Sequence, residues 1–203
     1  MSKVKRKLTT ILATDCVGFS KRMDENEELT LENLKACRSI IDPQIKEFGG
    51  RIFYTAGDSV IAEFESPVEC VNAAIGFQKA INDRNNTLPE ESQLDWRVGI
   101  HLDDVIIEGD NVYGNGVNIA ARLETACSPR QILLSTAVQD QVNKRINFTI
   151  EDAGTKSLKN IDEAFQVYGI SPSGEKISKT DALKEKDAQE AVKSYKPKLA
   201  VLP

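Results

Sequence analysis

The chain is poor in the residues that most often carry catalysis. Its 203 residues include a single histidine, His101, and four cysteines, Cys16, Cys37, Cys70 and Cys127. The cysteines stand far apart and form no CxxC pair, so zinc ligation and a disulfide framework are both disfavoured and a reducing, cytoplasmic setting is expected. His101 lies inside the apolar stretch WRVGIHL with no neighbouring Cys or Ser; it reads as a packed strand residue rather than a base. No apolar run approaches the roughly 18 residues of a membrane span, and no signal-peptide pattern opens the sequence. An excess of cations is lacking as well. The net charge is −5 and only the opening MSKVKRK is basic, so neither nucleic acid nor an anionic membrane is expected as a partner.

What remains is a well-stocked globular composition, 40% hydrophobic and 28% charged. That is enough apolar material for one domain of about 150–180 residues with a tail. Residues 8–14 branch and alternate like a strand. Residues 25–48 repeat Leu and Ile at helical spacing up to Gly49-Gly50, a C-terminal stop. RIFYTA and SVIAEF, separated only by Gly57-Asp58, read as a hairpin. Ser66-Pro67-Val68-Glu69 is a capping box with proline at the first helical position, opening a helix to about residue 85. DWRVGIHL and DVIIEG read as a second pair of strands, residues 118–126 as a helix, QILLS as a strand and 136–143 as a short helix. NFTIEDAG and FQVYGI supply the last strands. The order β-α-β-β-α-β with further strands predicts an α/β sandwich on a ferredoxin-like core, helices on one sheet face and the other face left for a partner subunit. Residues 1–170 are expected to form this domain. Residues 171–203 are polar and charge-rich, a linker or exposed helix leading to a further C-terminal region.

Chemistry is suggested by the stretch ATDCVGFS, residues 13–20, where a strand heading into a core ends on the carboxylate of Asp15. A second carboxylate, Asp58, occupies the hairpin tip. In a ferredoxin-like sheet the first strand is flanked by the hairpin strand, so its C-terminal end is level with that tip. Two hard oxygen donors at one edge suit Mg²⁺ or Mn²⁺, which retain waters and complete their shells with substrate phosphates. Taken alone, the pair is equally compatible with two unrelated turn aspartates. Gly18 permits close approach to the turn after Asp15, where successive amides can cradle phosphate oxygens. Asn118 and Arg122, four residues apart, project from one helix face and suit a ribose-phosphate group whose charge grows in a transition state.

Together ILATDCVGFS, GGRIFYTAGDSVIAEF, WRVGIHLDDVIIEGDNVYGNGVNIAARLE and SLKNI, in that order, resemble the class III nucleotidyl cyclase catalytic domain of bacterial type over about residues 6–170. The resemblance implies a head-to-tail homodimer with active sites at the interface and two divalent ions per site. It makes Asp15, Asp58 and the Cys16 carbonyl the metal ligands, and Val17, Gly18, Phe19 and Ser20 the phosphate-holding turn. Asn118 and Arg122 become the pair acting on the ribose and the transition state from the other subunit, and Lys159 a triphosphate contact. An arginine on the metal-bearing subunit is also usual in the family; none is assigned to that role from the sequence. The implied reaction is conversion of a nucleoside triphosphate to its 3′,5′-cyclic monophosphate and pyrophosphate, and it requires no side-chain base. Where adenylate-forming relatives carry a lysine and an aspartate to read the base, this chain has Tyr54 and Asn111, each able to donate or accept. ATP is the expected substrate on family frequency. A cyclase for CTP, UTP or GTP, a catalytically silent nucleotide-binding dimerisation domain and a metal-dependent phosphohydrolase are the alternatives.

Overall fold

Strand β1 (Lys5–Cys16) is buried on both faces from Thr9 onward, which fixes it as the centre of the sheet. Leu12 and Cys16 point into one hydrophobic core, Ile11 and Ala13 into another on the opposite face. The computed structural model describes residues 5–157, 164–174 and 177. After β1 come α1 (Phe19–Glu25), α2 (Glu27–Glu47), the hairpin β2 (Arg51–Ala56) and β3 (Ser59–Phe64), and α3 (Pro67–Asn85). Then follow β4 (Trp96–Glu108), β5 (Asn111–Tyr113), α4 (Asn115–Thr125), β6 (Ile132–Ser135), α5 (Thr136–Val142), β7 (Glu151–Ser157) and β8 (Ala164–Ile170). The strands run in the order β2-β3-β1-β4-β6-β8-β7, with β5 paired to β4. The β2-β3-β1-β4 portion is antiparallel throughout, the ferredoxin-like arrangement expected; β6 extends it by pairing parallel to β4. Among the described residues no helix is long and apolar enough to cross a membrane.

Local signals account for the elements that agree with the sequence. Gly57 takes a left-handed φ of 58° at the β2–β3 turn, as a two-residue hairpin connection demands. The Ser66 side chain caps α3 by accepting from the Glu69 N–H at 3.3 Å.

Four expectations are corrected. The first strand is longer, so Asp15 and Cys16 are strand residues. The helix expected over 25–48 is α2, which starts at Glu27 after Asn26 caps it by accepting from the Leu29 N–H at 3.1 Å, and a short helix not expected from the sequence, α1, occupies residues 19–25 before it. The expected second strand pair is one strand, β4, with only the short β5 folded back on it. Asp103-Asp104 resembles a turn, yet both residues are in register with β1, and Asp104 takes the Arg6 guanidinium at 2.5 Å on the exposed strand ends. Finally, helices cover both faces. Residues of α2, α3 and α5 fill one core, while α4 lies on the other face, sending Ile119 and Leu123 into one apolar cluster and Val117 and Ala120 into a second. Of the polar segment 171–203, residues 175–176 and 178–203 lie outside the described residues. Ile177 is buried with the Ile119–Leu123 cluster.

Gly99 permits the close seating of α4. A Cβ there would stand 2.1 Å from the Glu124 amide nitrogen and 2.3 Å from the Ala120 carbonyl oxygen. Both are helix backbone and cannot swing aside. Gly99→Ala is therefore expected to destabilise the protein by about 1–3 kcal/mol or more, read as a fall in urea midpoint; an unchanged midpoint would mean that α4 is not seated on β4 in this way.

His101 is a packed strand residue, as expected. Its Nδ1 is 2.9 Å from Ser135 Oγ, its ring meets Phe165 edge-on, and it is buried. Burial lowers its pKa from the ordinary value, and the nearby Asp103 carboxylate opposes that only in part. A histidine harder to protonate folded than unfolded costs nothing above about pH 6.5, the unfolded value, and withdraws stability as pH falls below it. The expected result is a shallower loss of stability between pH 7 and pH 5 in His101→Gln than in the parent, measured by urea denaturation. Parallel curves would refute the burial argument.

Candidate active site

Asp15 is the penultimate residue of β1, on the face covered by α4, and stands directly across from Arg97 of β4. Asp58 is in the β2–β3 turn, and its Oδ2 accepts the Cys16 N–H at 2.9 Å. The two carboxylates predicted to converge are thus brought to one edge, Asp58 being hydrogen-bonded to the residue that follows Asp15. Burial pushes Asp58 up to about 6, the Asp15 charge adds to this, and the Cys16 amide opposes it. The Cys16 thiol is buried and driven far above the ordinary thiol range, mainly by desolvation, so its backbone is the part of this residue that the site can use.

The turn that follows is anchored from below. Val17 donates its N–H to the Asp95 carbonyl at 2.8 Å, and the Asp95 carboxylate is held by Arg130 Nε at 2.8 Å and Asn85 Nδ2 at 3.2 Å. Gly18 is left-handed (φ 70°, ψ 23°) with open space where a Cβ would be. Val17 therefore fixes the turn with its amide, while Gly18 and Ser20 are exposed and Phe19 packs on the core beneath.

Two residues of this edge were not singled out from the sequence. Arg97 grips Asp15 with two hydrogen bonds, Nε to Oδ1 at 2.7 Å and Nη2 to Oδ2 at 3.0 Å, and donates from Nη1 to the Thr125 carbonyl at 3.1 Å. Glu124 of α4 brings Oε1 to 2.7 Å from the same Nε. Burial and the neighbouring Asp15 charge push Glu124 well above the usual carboxylate range, against the pull of Arg97. The sequence alone assigns Arg97 no role, because within WRVGIHL it looks like one polar residue of an alternating strand. Glu124 follows Arg122 in AARLE, and only the packing of α4 on β4 shows what it meets.

Asn118 and Arg122 lie one turn apart on α4, Asn118 exposed and Arg122 partly buried. Among the described residues no hydrogen bond or ion pair joins either to Asp15 or Asp58. Tyr54 follows an irregularity in β2, opposite Ile61, and packs against the Ile11–Ala13 core. Asn111 begins β5, exposed and opposite Glu108. The two segments are tied by Arg51, which donates to the Asp110 carbonyl at 2.8 Å. Lys159 lies outside the described residues.

The family model for the adenylate and guanylate cyclase catalytic domain matches residues 2–171. The chain belongs to that family. It is 33% identical over 201 residues to "Putative adenylate cyclase 3" of Rhizobium meliloti, covering 98% of this chain and 34% of that protein. It is 29% identical over 130 residues to "Adenylate cyclase" of Streptomyces coelicolor, covering 63% of this chain and 32% of the relative. The chain thus spans about a third of the length of these curated relatives. Among solved structures, an adenylate/guanylate cyclase/hydrolase from Silicibacter pomeroyi superposes with a TM-score of 0.78 at 33% identity, covering 84% of this chain and 99% of that one.

The residues present fit a hard divalent cation. Two carboxylates meet at one edge, one of them raised by desolvation, and among the described residues no larger His, Cys, Asp and Glu cluster accompanies them. Such a sparse oxygen set suits an ion that keeps waters and borrows substrate phosphate oxygens.

Among the described residues Arg97 is the one cation paired with both buried acids of this edge, Asp15 and Glu124. Arg97→Ala is expected to cost about 3–5 kcal/mol, the usual result of removing one member of a buried ion pair. Asp15→Ala, which leaves Arg97 with Glu124, should cost less. Urea denaturation measures both, and the reverse order would contradict the arrangement.

Proposed function

We propose that two copies of this chain form a head-to-tail homodimer that converts a nucleoside triphosphate, ATP first among them, to the 3′,5′-cyclic monophosphate and pyrophosphate. The observation that carries the reading is a division of the site. Asp15 and Asp58 share one sheet edge through the Cys16 amide, while among the described residues no hydrogen bond or ion pair joins Asn118 or Arg122 of the same chain to them; in this reading the partner supplies the second half of each site. The relatives named adenylate cyclase support ATP as substrate. Tyr54 and Asn111, both able to donate and accept, leave CTP, UTP or GTP as the competing reading.

In this reading Asp15, Asp58 and the Cys16 carbonyl hold two Mg²⁺ or Mn²⁺ ions. Bound there, such ions lower the pKa of the ribose 3′-hydroxyl and offset charge on the departing pyrophosphate. Gly18, Phe19 and Ser20 present the turn that Val17 anchors to the phosphates, and Lys159 adds a cation to the triphosphate. From the other subunit Asn118 orients the ribose, and Arg122 stabilises charge growing on the α-phosphoryl group, an effect typically worth a few kcal/mol. Tyr54 and Asn111 face the base. The catalytic unit works in the cytoplasm, in keeping with four free, buried cysteines.

The test is turnover of ATP, GTP, CTP and UTP with Mn²⁺, products identified by mass spectrometry. Cyclic nucleotide with pyrophosphate supports the proposal; inorganic phosphate or no product rejects it. Shared sites make a further demand. Asp58→Ala and Asn118→Ala are each expected to be inactive, and mixing them should restore activity, because one site of the heterodimer then carries both defects and the other carries neither. A verified heterodimer without activity would rule out the shared site.

A further inference from the structure

Glu124 is buried, 6% exposed, and its Oε1 is 2.7 Å from Arg97 Nε. Yet that oxygen accepts no hydrogen bond within the described residues, because the Nε–H is directed at Asp15 Oδ1. A buried acceptor left open beside a guanidinium is costly, and a purely structural ion pair would close it. Asp15 has the opposite condition, with both oxygens taken by Arg97. Each oxygen keeps a further lone pair, but a cation approaching there meets the guanidinium's charge at close range, so turning one oxygen away from Arg97 favours the ion. Arg97 is meanwhile held to α4 by the Thr125 carbonyl through Nη1, so its other N–H groups can change acceptor without the side chain leaving its place.

We propose that Glu124 is a positioning residue for the metal site: it accepts the Arg97 Nε–H when Asp15 turns an oxygen to a divalent ion, so that neither Arg97 nor Asp15 is left unpaired. The inference rests on reading Asp15 and Asp58 as metal ligands and goes beyond it in giving Glu124 a task. Without the Glu124 carboxyl as an alternative acceptor, Arg97 has Asp15 as its one side-chain acceptor among the described residues at this edge, and the metal must compete with an undivided ion pair.

The test uses the full chain, stripped with a chelator, and Mn²⁺ alone as probe, with free Mn²⁺ read by electron paramagnetic resonance. Glu124→Gln keeps the shape and leaves only a neutral amide oxygen, a weaker acceptor for a guanidinium. It is expected to weaken Mn²⁺ binding about 10- to 100-fold, the usual range for groups that orient metal ligands, with a melting temperature close to the parent's. In an Arg97→Met background the same substitution should have no further effect; a full additional loss there would overturn the claim that Glu124 acts through Arg97. A folded Gln variant with the parent's affinity overturns the proposal outright. Should the Gln variant fail to fold, Glu124→Asp, which keeps the charge one methylene further from Arg97, decides: weakened Mn²⁺ binding supports the role and unchanged binding rejects it. Asp58→Ala separates the two readings. If it too binds Mn²⁺ like the parent, the metal assignment itself fails; if it loses binding while Glu124→Gln does not, only the positioning role fails.

Discussion

The Arg97 guanidinium joins three elements that have no local reason to meet. It rises from β4, clasps the last acidic residue of β1 and reaches the C-terminal turn of α4 through a backbone carbonyl. Two carboxylates cannot share a dry corner of a protein without a cation between them, because desolvation and mutual repulsion both act against their charged forms. The seating of α4, the orientation of Asp15 and the burial of Glu124 therefore depend on one another. The side chain that makes the fold tolerable at this edge is also the one that any cation there must negotiate with.

Much of the architecture was legible because its signals are local. A glycine at a hairpin tip, a serine three residues before a glutamate and an apolar repeat ended by Gly-Gly each specify their element within a few residues, and β2, β3, α3 and the end of α2 follow from them. The errors arose where tertiary pairing overrode local appearance. Asp103-Asp104 looks like a turn, but the pairing partner is the exposed end of β1, where acids are tolerated and one meets Arg6. Asp15 and Cys16 look like the start of a turn, yet the ladder with β4 continues to Trp96. Helical periodicity shows that α4 has an apolar face but not which side of the sheet that face will cover.

The same division holds in the site. Asp15 and Asp58 could be brought together on paper because strand order sets which ends are level. Asn118 and Arg122 could be paired because helical spacing is enough. Arg97 and Glu124 could not, since contacts across 82 residues of sequence to Asp15 and between a strand and a covering helix leave no periodic trace. Relatives supply the family; the particular ion-pair geometry comes from the packing.

The double burial of β1 has a bearing on motion. A strand with neighbours on both edges and apolar cover on both faces opens only when the domain unfolds, so its amides belong to the slowest-exchanging class. Asp15 hangs from the end of that strand, while Tyr54 sits on β2 at the sheet margin, where opening is easiest. Asp15 is thus carried by the central ladder, while Tyr54 and the turn that holds Asp58 belong to the hairpin at the sheet's margin. Sequence change at the margin can alter the shape around Tyr54 over evolutionary time while the position of the Asp15 carboxylate stays where the central ladder puts it.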